Sequence, residues 1–505
     1  MTGLASSDLI IASWVLIILY AALILFFVVR GALKTKNISD YALGSISFSP
    51  IGVGLALAAS MTSAATFIIN PGFIAFYGIS GVISFAFVLP IASLVSLIVL
   101  TKGFRKHGQS VKALTLAQWM GTRYKSKTYS FFFGILSLLL ITFIVLICVG
   151  ITKVLAKSLD VKELYVLIGI VVFIFGYMMF GGANSMVYTN TIQASIMIVV
   201  AVILLTSGYD HFSKGITGFF DKLFAVDPNL TKLYNTKSFL FRDFYEIFIS
   251  QIVIGVAIVC QPHIITKSLL LKTDKDVNRY LVVGVIVQML FFLVVIAGLF
   301  ARLTFPNLEI NGIPLKLDGV ISAYVVSKFP VYIGLIVILG LISAGISTLE
   351  GLIQSISTTI TSDIILPIAK RIKPKIEMEN KTKITINRLV IGLLAIVTII
   401  ISYDQLINPK LSVGIFAQNG VYAYFSAAFV PIIFGMFFKD MPKVAVVLGS
   451  FIAVVVHFVM YFGKIQIPFS VATGENPGVA ASAAIIVSVL LSLVLYYVFR
   501  RKLND

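Results

Sequence analysis

Two clusters rich in hydroxyl side chains lie within very apolar parts of this 505-residue sequence. The first is AASMTSAATF, residues 58–67, and the second is LISAGISTLEGLIQSISTTITSD, residues 341–363. In the second cluster Ala344, Ser347 and Thr348 are spaced i, i+3 and i+4, so they share one helix face. Two hydroxyls together with carbonyl oxygens suit a hard cation such as sodium. The competing interpretation is close helix packing, for which small residues are common in membrane helices.

A polar stripe runs along the second cluster and contains one carboxylate. Its members follow alternating steps of four and three residues: Ser343, Ser347, Glu350, Gln354, Ser357 and Thr361. An ionisable side chain at membrane depth is costly and is a functional hypothesis by default. Three interpretations of Glu350 stay open, namely a proton site, a counter-charge for a second ion, or a group in a wet cytoplasmic vestibule.

The elements that position these residues are predicted to be membrane helices. Hydrophobic residues make up 59% of the chain and charged residues 12%, whereas soluble domains are about 25% charged. Apolar stretches of about 20 residues are candidate spans. We predict thirteen of them, at residues 9–30, 49–77, 81–101, 129–152, 164–181, 187–207, 245–266, 280–301, 331–363, 387–403, 413–437, 444–462 and 477–499.

The distribution of basic residues predicts the orientation. With the N-terminus outside and the C-terminus inside, the cytoplasmic loops hold 26 of the 39 Lys and Arg residues, as the positive-inside rule requires. Every Lys and Arg then falls in a loop or at a helix end, so no basic residue is expected at depth. We interpret the net charge of +18 as a topology signal and a contact to anionic membrane lipid, and nucleic-acid binding is not expected.

Two of the predicted spans are interrupted. The second carries INPGF, residues 69–73, directly after the hydroxyl cluster, and the seventh carries the pair Gln261 and Pro262. The breaks lie five spans apart, which is typical of transporters built from inverted repeats. We predict one transmembrane transporter domain, 1–505, with repeats at 49–207 and 245–437, an additional N-terminal helix at 1–30 and C-terminal helices at 444–505.

Four stretches, in this order, make the chain resemble the sodium/solute symporter family: AASMTSAATFIINPG, GYMMFGGANSMVYTNTIQ, QPHIITK and SAGISTLEGLIQSISTTITSD. The resemblance implies an all-α fold with a five-plus-five inverted repeat, two broken helices and alternating access. It also implies a sodium site built from main-chain oxygens of Ala59, Thr62 and Ala344 and the hydroxyls of Ser347 and Thr348. Asn190 stands where many members have Asp, so Asn190 and Glu350 are the candidate positions for a further ion or proton.

The sequence therefore predicts a secondary active transporter in the plasma (inner) membrane that couples sodium entry to uptake of a small organic solute. A monocarboxylate, an amino acid and a sugar-like solute all stay open. Sodium is the expected coupling ion; no organic cofactor or enzymatic activity is expected, and the protein should function as a monomer. Alternatives are a proton-coupled symporter using Glu350, a sensor that keeps the fold without transport, and a channel. The predicted substrate-binding residues are Thr66, Phe67, Asn70, Gln261, Phe416 and Asn419.

Overall fold

The computed structural model describes residues 7–504 apart from 46, 112, 375–377, 409–411 and 439, and most of that backbone is helical. Only helices and closed barrels satisfy every backbone polar group within a bilayer, so long apolar runs become helices. The strands in this part of the chain are β1 (Glu309–Ile310) and β2 (Ile313–Pro314), which form a short antiparallel hairpin.

The N-terminal part of the chain extends to α12. In chain order its helices are α1 (Ser7–Ala32), α2 (Ile38–Leu43), α3 (Pro50–Met61), α4 (Asn70–Tyr77), α5 (Ile79–Val82), α6 (Leu89–Val111), α7 (Leu116–Arg123), α8 (Lys127–Leu136), α9 (Ile141–Leu159), α10 (Glu163–Met178), α11 (Ala183–Thr206) and α12 (Gly215–Val226). π-helical turns at Ala65–Ile69 and Ile83–Val88 lead into α4 and α6. A 3₁₀ turn at Ser137–Leu140 joins α8 to α9 in one span.

The C-terminal part begins at a π-helical turn, Tyr245–Ile249. Its helices are α13 (Ser250–Ile258), α14 (Pro262–Ile265), α15 (Asp274–Leu293), α16 (Ala297–Thr304), α17 (Val320–Lys328), α18 (Val331–Thr359), α19 (Leu366–Ile372), α20 (Asn380–Ile407), α21 (Val413–Phe437), α22 (Lys443–Gly463) and α23 (Pro477–Asn504). A 3₁₀ turn at Thr266–Leu270 extends α14, and a π-helical turn at Ile360–Ile365 joins α18 to α19.

Each predicted span coincides with a helix or with a bent helix pair. Within the described residues, ten continuous helical stretches are long and apolar enough to cross a membrane, and two bent pairs qualify as broken spans. The predicted span 164–181 corresponds to α10, whose 16 residues extend about 24 Å at 1.5 Å per residue. That is shorter than a hydrocarbon core of about 30 Å, so the count of thirteen and the orientation of the termini stay predictions.

The first broken span bends within the hydroxyl cluster, before the INPGF sequence. The two halves meet at 54°, and Thr62 between them is extended, with φ −106° and ψ 91°. The hydroxyl of Ser63 accepts a hydrogen bond from the amide of Ala65 at 3.1 Å and so caps the second half. Pro71 lies in the first turn of α4, where its missing amide hydrogen costs no helical hydrogen bond.

The second broken span bends by 56° between Tyr245–Ile258 and Pro262–Leu270. Gln261 is extended at the break, and Pro262 begins α14. The second bent pair is followed by four helical spans up to Phe437, and the first by three spans and the shorter apolar helix α10. This order agrees with a five-plus-five core.

Helices α18 and α21 are the most buried of the long spans, and α1 is the most exposed. The first broken span lies centrally, because α3 packs against α11, α15 and α18. Helices α22 and α23 pack on each other and on α21. The two hydroxyl clusters therefore face each other inside the bundle.

Candidate functional site

Four of the five predicted sodium ligands meet at the interface between α3 and α18. The hydroxyl of Ser347 lies 3.0 Å from the carbonyl oxygen of Ala59 and 3.1 Å from that of Ala344. The hydroxyl of Thr348 lies 3.3 Å from the Ala344 oxygen and 3.5 Å from the Ala59 oxygen. All four residues are fully buried. The Thr348 hydroxyl also donates to the carbonyl oxygen of Ser60 at 3.2 Å. The i, i+3, i+4 spacing on α18 thus places two hydroxyls beside one carbonyl oxygen of α18 and two of α3.

This oxygen set suits a monovalent cation better than a transition metal. Its members are uncharged, and a hydroxyl that donates to a carbonyl can turn its lone pairs toward a cation instead. In the part of the chain that the structure describes, no three His, Cys, Asp or Glu side chains are grouped to hold a metal. Thr62 lies at the break, and its buried hydroxyl has no hydrogen-bond partner among the described residues.

A cavity of about 100 Å³ lies beside the same break. It is lined from both broken spans and from α6, α9, α15 and α21. The lining residues are Met61, Ser63, Ala65, Thr66, Asn70, Phe85, Leu89, Phe143, Leu146, Ile258, Gln261, Phe292, Gly414, Ala417, Gln418, Val421 and Tyr422. None of these described lining residues is charged, so the cavity offers apolar walls with a few neutral polar groups.

Three of the six predicted substrate residues line this cavity, namely Thr66, Asn70 and Gln261. Gln261 is buried, and its side-chain amide donates to the carbonyl of Ile258 at 3.1 Å. Its side-chain oxygen has no partner among the described residues. An unpaired buried acceptor is costly, so this atom is available to a donor on a bound solute.

The structure places the other three, Phe67, Phe416 and Asn419, away from the cavity. Phe67 is fully buried and packs edge-to-face on Phe291 at 5.4 Å between ring centroids. The side-chain oxygen of Asn419 lies 2.9 Å from Nε2 of His457. Phe416 packs against the apolar core. Phe416 and Asn419 do share a face of α21, but it is not the face that lines the cavity.

Sequence reasoning missed Gln418 and Tyr422, which lie one turn apart on α21 and line the cavity. The lining residues of α21 are Gly414, Ala417, Gln418, Val421 and Tyr422, which follow the i, i+3, i+4, i+7, i+8 pattern of one helix face. This spacing was present in the sequence. Apolar residues occur on every face of α21 itself, however, so the periodicity of the sequence did not indicate which face lines the cavity.

A model of the sodium:solute symporter family matches residues 41–456 of this chain, which is most of its length. The chain belongs to the sodium:solute symporter family. It is a sodium-coupled symporter of a small organic solute and a multi-pass protein of a bacterial-type plasma membrane.

Individual relatives agree with this assignment. The sodium/pantothenate symporter of Haemophilus influenzae is 26% identical over 399 residues, which are 78% of this chain and 79% of that protein. The sodium/proline symporter of Staphylococcus aureus is 23% identical over 460 residues, 88% of this chain and 86% of that one. A solved structure of a Na+-coupled sialic acid symporter in a substrate-bound, outward-open state has a TM-score of 0.77 at 17% identity. It covers 95% of this chain and 97% of that one, so the fold is shared.

The polar stripe of α18 forms a hydrogen-bonded seam inside this symporter. Ser343 donates to the hydroxyl of Tyr20 at 3.2 Å, and Gln354 donates to the carbonyls of Tyr41 and Ala42. Thr361 donates to the side-chain oxygen of Asn387 at 3.1 Å. The stripe therefore attaches α18 to α1, α2 and α20.

Glu350 lies in the middle of this seam and is fully buried. Its two carboxylate oxygens accept hydrogen bonds from the hydroxyls of Tyr177, at 2.5 Å, and Thr189, at 2.6 Å. The interpretation of Glu350 as a group in a wet vestibule is therefore wrong for this structure. The proton-site and counter-charge interpretations stay open.

One basic residue that was assigned to a loop from the sequence is buried inside the protein. Lys267 is 3% exposed, and its ammonium has no hydrogen-bond partner among the described residues. The reason is that the second broken span continues through the 3₁₀ turn to Leu270, which carries Lys267 into the protein instead of into a loop. In the described part of the chain the Lys267 ammonium forms no ion pair, and Glu350 is a buried carboxylate that can compensate its charge only from a longer distance.

Asn190 lies beside the proposed sodium ligands. Its side-chain amide donates to the hydroxyl of Ser60 at 3.1 Å, and its buried side-chain oxygen has no partner in the described part of the chain. Asn190 thus contacts α3, whereas Glu350 contacts α10 and α11, so each has its own set of partners.

Proposed function

We propose that the oxygens of Ala59, Thr62, Ala344, Ser347 and Thr348 bind the co-transported sodium. The observation that carries this proposal is that both hydroxyls of α18 approach the Ala59 carbonyl at the end of α3. The ion would bridge the first broken span and α18, and its loss would let the two separate. Uncharged oxygens bind a monovalent cation only moderately tightly. This suits a co-transported sodium ion, which must be released after it has bound.

We further propose that the cavity beside the break holds the organic solute. Met61 and Ser63 line the cavity, and Ala59 lies two residues before Met61 at the end of α3. Sodium that fixes the break would therefore order the walls of the cavity. Coupling of this kind is reciprocal, so the solute should increase the affinity for sodium by the same factor.

The solute that best fits the cavity carries a carboxylate and at least one hydrogen-bond donor. The helix that follows the break begins with Ser63, Ala65 and Thr66 at the cavity, and a helix N-terminus favours an anion. The sodium charge nearby adds to this preference. The unpaired oxygen of Gln261 calls for a donor such as a hydroxyl or an amide. Pantothenate, proline and sialic acid, which the relatives are named for, all contain a carboxylate.

Apolar walls set a second requirement. Met61, Phe143, Leu146 and Ile258 line the cavity, so part of the solute should be hydrocarbon. Of the three classes that the sequence left open, a fully hydroxylated neutral sugar fits these walls least well. A carboxylate with one apolar portion fits best.

A thermal-shift screen of the detergent-purified protein tests the proposal. Each carboxylate would be compared with its own amide, in sodium and in potassium buffer. We expect stabilisation by a carboxylate in sodium only, since a ligand that binds the folded state raises the unfolding temperature. Equal stabilisation by the amide would contradict the carboxylate assignment. Equal stabilisation in potassium would contradict the sodium site.

A further inference from the structure

A surface groove with a volume of about 850 Å³ lies between the start of α8 and the end of α18 with α19. It is separate from the solute cavity and shares no lining residue with it. Its charged lining residues within the described chain are Lys127, Asp363, Lys370 and Arg371. We asked what kind of molecule such a groove would bind.

The accessible charge of the groove is positive. Lys127, Lys370 and Arg371 are exposed, whereas Asp363 is 3% exposed. The two oxygens of Asp363 accept hydrogen bonds from the hydroxyls of Thr115, at 2.6 Å, and Ser130, at 2.9 Å. The carboxylate is therefore engaged within the bundle, and three cations remain to face a ligand.

The groove lies at a membrane boundary. Lys127 is the first residue of the apolar span Lys127–Leu159, and Arg371 is the second-last residue of the apolar span Val331–Ile372. The distribution of Lys and Arg predicts that this end of both spans is cytoplasmic. Anything that enters the groove from the lipid phase thus meets the cations at headgroup level.

Apolar side chains form the remaining wall. Phe131, Leu366 and Ile368 line the groove, and Ile368 is 43% exposed. A small soluble anion would use the cations but would gain nothing from this wall. A molecule with an anionic head and hydrocarbon chains would use both.

We propose that the groove is a binding site for an anionic phospholipid of the cytoplasmic leaflet. Its phosphate would lie among Lys127, Lys370 and Arg371, and its acyl chains would lie along Phe131 and Ile368. Basic pockets between membrane helices on the cytoplasmic side bind such headgroups. Because α19 continues α18, which carries Ser347 and Thr348, a bound lipid would hold this end of α18 against α8.

The test compares two triple variants of equal charge change in the full-length, detergent-purified protein. The groove variant is Lys127→Gln, Lys370→Gln and Arg371→Gln. The control variant replaces Lys34, Lys36 and Lys381 by Gln, which are exposed residues on the same predicted side and outside the groove. Binding of phosphatidylglycerol is titrated by native mass spectrometry, with phosphatidylcholine and inorganic phosphate as separate arms, and unfolding temperature is measured alongside.

We expect phosphatidylglycerol to bind and stabilise the wild-type and control proteins. The groove variant should bind it on the order of 100-fold more weakly, because each basic residue near an anionic headgroup contributes roughly fivefold. Equal binding by the groove variant would overturn the site, as would equal stabilisation by phosphatidylcholine. Stabilisation by inorganic phosphate alone would instead identify a simple anion site and overturn the lipid assignment. The unliganded variants should unfold at similar temperatures, since all six side chains are exposed.

Discussion

The hydroxyl of Ser60 donates a hydrogen bond to the main-chain oxygen of Ser347, 3.3 Å away across the interface of α3 with α18. Ser60 also accepts a hydrogen bond from Asn190 at 3.1 Å. It therefore connects α3, α11 and α18 next to the proposed sodium ligands without being one of them. Ser60 can therefore serve as a control for the two interpretations of the hydroxyl clusters, because its hydroxyl contributes to helix packing but is not a proposed sodium ligand.

Replacing Ser347 or Thr348 by Ala should raise the sodium concentration for half-maximal uptake by about tenfold, a loss of roughly 1.4 kcal/mol in sodium affinity. Ser60→Ala is the matched control, because it removes a buried hydroxyl from the same interface. We expect Ser60→Ala to lower the unfolding temperature and to leave the sodium dependence unchanged. Uptake measured against sodium concentration checks this. An equal shift in all three variants would mean that the hydroxyls serve packing alone.

The buried charges of Glu350 and Lys267 should be energetically coupled. Glu350→Gln keeps one of the two acceptor oxygens that Tyr177 and Thr189 use and removes the negative charge that would compensate the Lys267 ammonium. Lys267→Met removes the positive charge instead. Each single variant should lower the unfolding temperature. The double variant should be more stable than the sum of the two losses by about 0.5–3 kcal/mol. Chemical unfolding of all four proteins measures this coupling, and strictly additive losses would show that the two charges act independently.

The same Glu350→Gln variant tests whether Glu350 serves one of the two open roles, proton site or counter-charge for a second ion, or only compensates the charge of Lys267. A counter-charge that only compensates Lys267 is dispensable for sodium coupling once Lys267 is also replaced. Sodium-driven uptake should therefore return in the double variant when it is lost in the single one. Failure of the double variant to transport, although it is folded and binds sodium, would favour an essential proton or ion at Glu350.

Much of the fold could be predicted from the sequence because its signals are local. The length of each apolar run predicted the spans. The pair Gln261 and Pro262 predicted the second break at its observed position. The first interruption was predicted from INPGF, but the break falls earlier, at Thr62 within the hydroxyl cluster. The burial of Lys267 could not be predicted, because counting charges by loop assumes that a span ends where the apolar run ends.

The candidate site was predicted unevenly for a similar reason. The helical spacing of Ala344, Ser347 and Thr348 fixes their common face, and the structure brings that face to Ala59. No comparable spacing in the sequence shows which face of α21 is turned toward the cavity. Asn419 therefore lies against His457 and its neighbour Gln418 faces the cavity. Periodicity also predicted the polar stripe that contains Glu350, but it could not predict that the hydroxyls of Tyr177 and Thr189 donate to this carboxylate.

Gln418→Leu should raise the KM for the solute by about tenfold, since it removes a polar group from the cavity wall. Sodium binding without solute should not change, because Gln418 has no part in the sodium site. Asn419→Leu is the control on the adjacent face, and we expect an unchanged KM with a lower unfolding temperature from the lost contact to His457. Initial uptake rates over a range of solute concentrations check both. The opposite pattern would mean that α21 is rotated by one residue.

Asp318 links three elements at one end of the solute cavity. Its carboxylate accepts hydrogen bonds from the hydroxyl of Ser412 at 2.6 Å and the amide of Val413 at 3.1 Å, and it pairs with Lys153 at 3.4 Å. Val413 begins α21, and the next residue, Gly414, lines the cavity. Asp318 is 5% exposed, so solvent screens these contacts little. The loop that carries Asp318 is therefore attached to α9 and to the start of α21, on the side predicted to be extracellular.

Asp318→Asn should open this side. The asparagine side chain lacks the negative charge that pairs with Lys153. Its NH2 group also cannot accept a hydrogen bond, so one of the bonds from Ser412 and Val413 is lost. In an Ala417→Cys background, a charged thiol reagent applied from outside should then react about tenfold faster, which corresponds to roughly 1.4 kcal/mol. The matched control is Asp210→Asn, which breaks the exposed ion pair to Lys328 without contact to α21 and should leave the rate unchanged. The native Cys148 and Cys260 are fully buried, so they should react slowly. The reaction rate of the chain without Ala417→Cys measures their contribution. A similar acceleration in both Asn variants would mean general loosening of the surface instead of the release of a closed cavity.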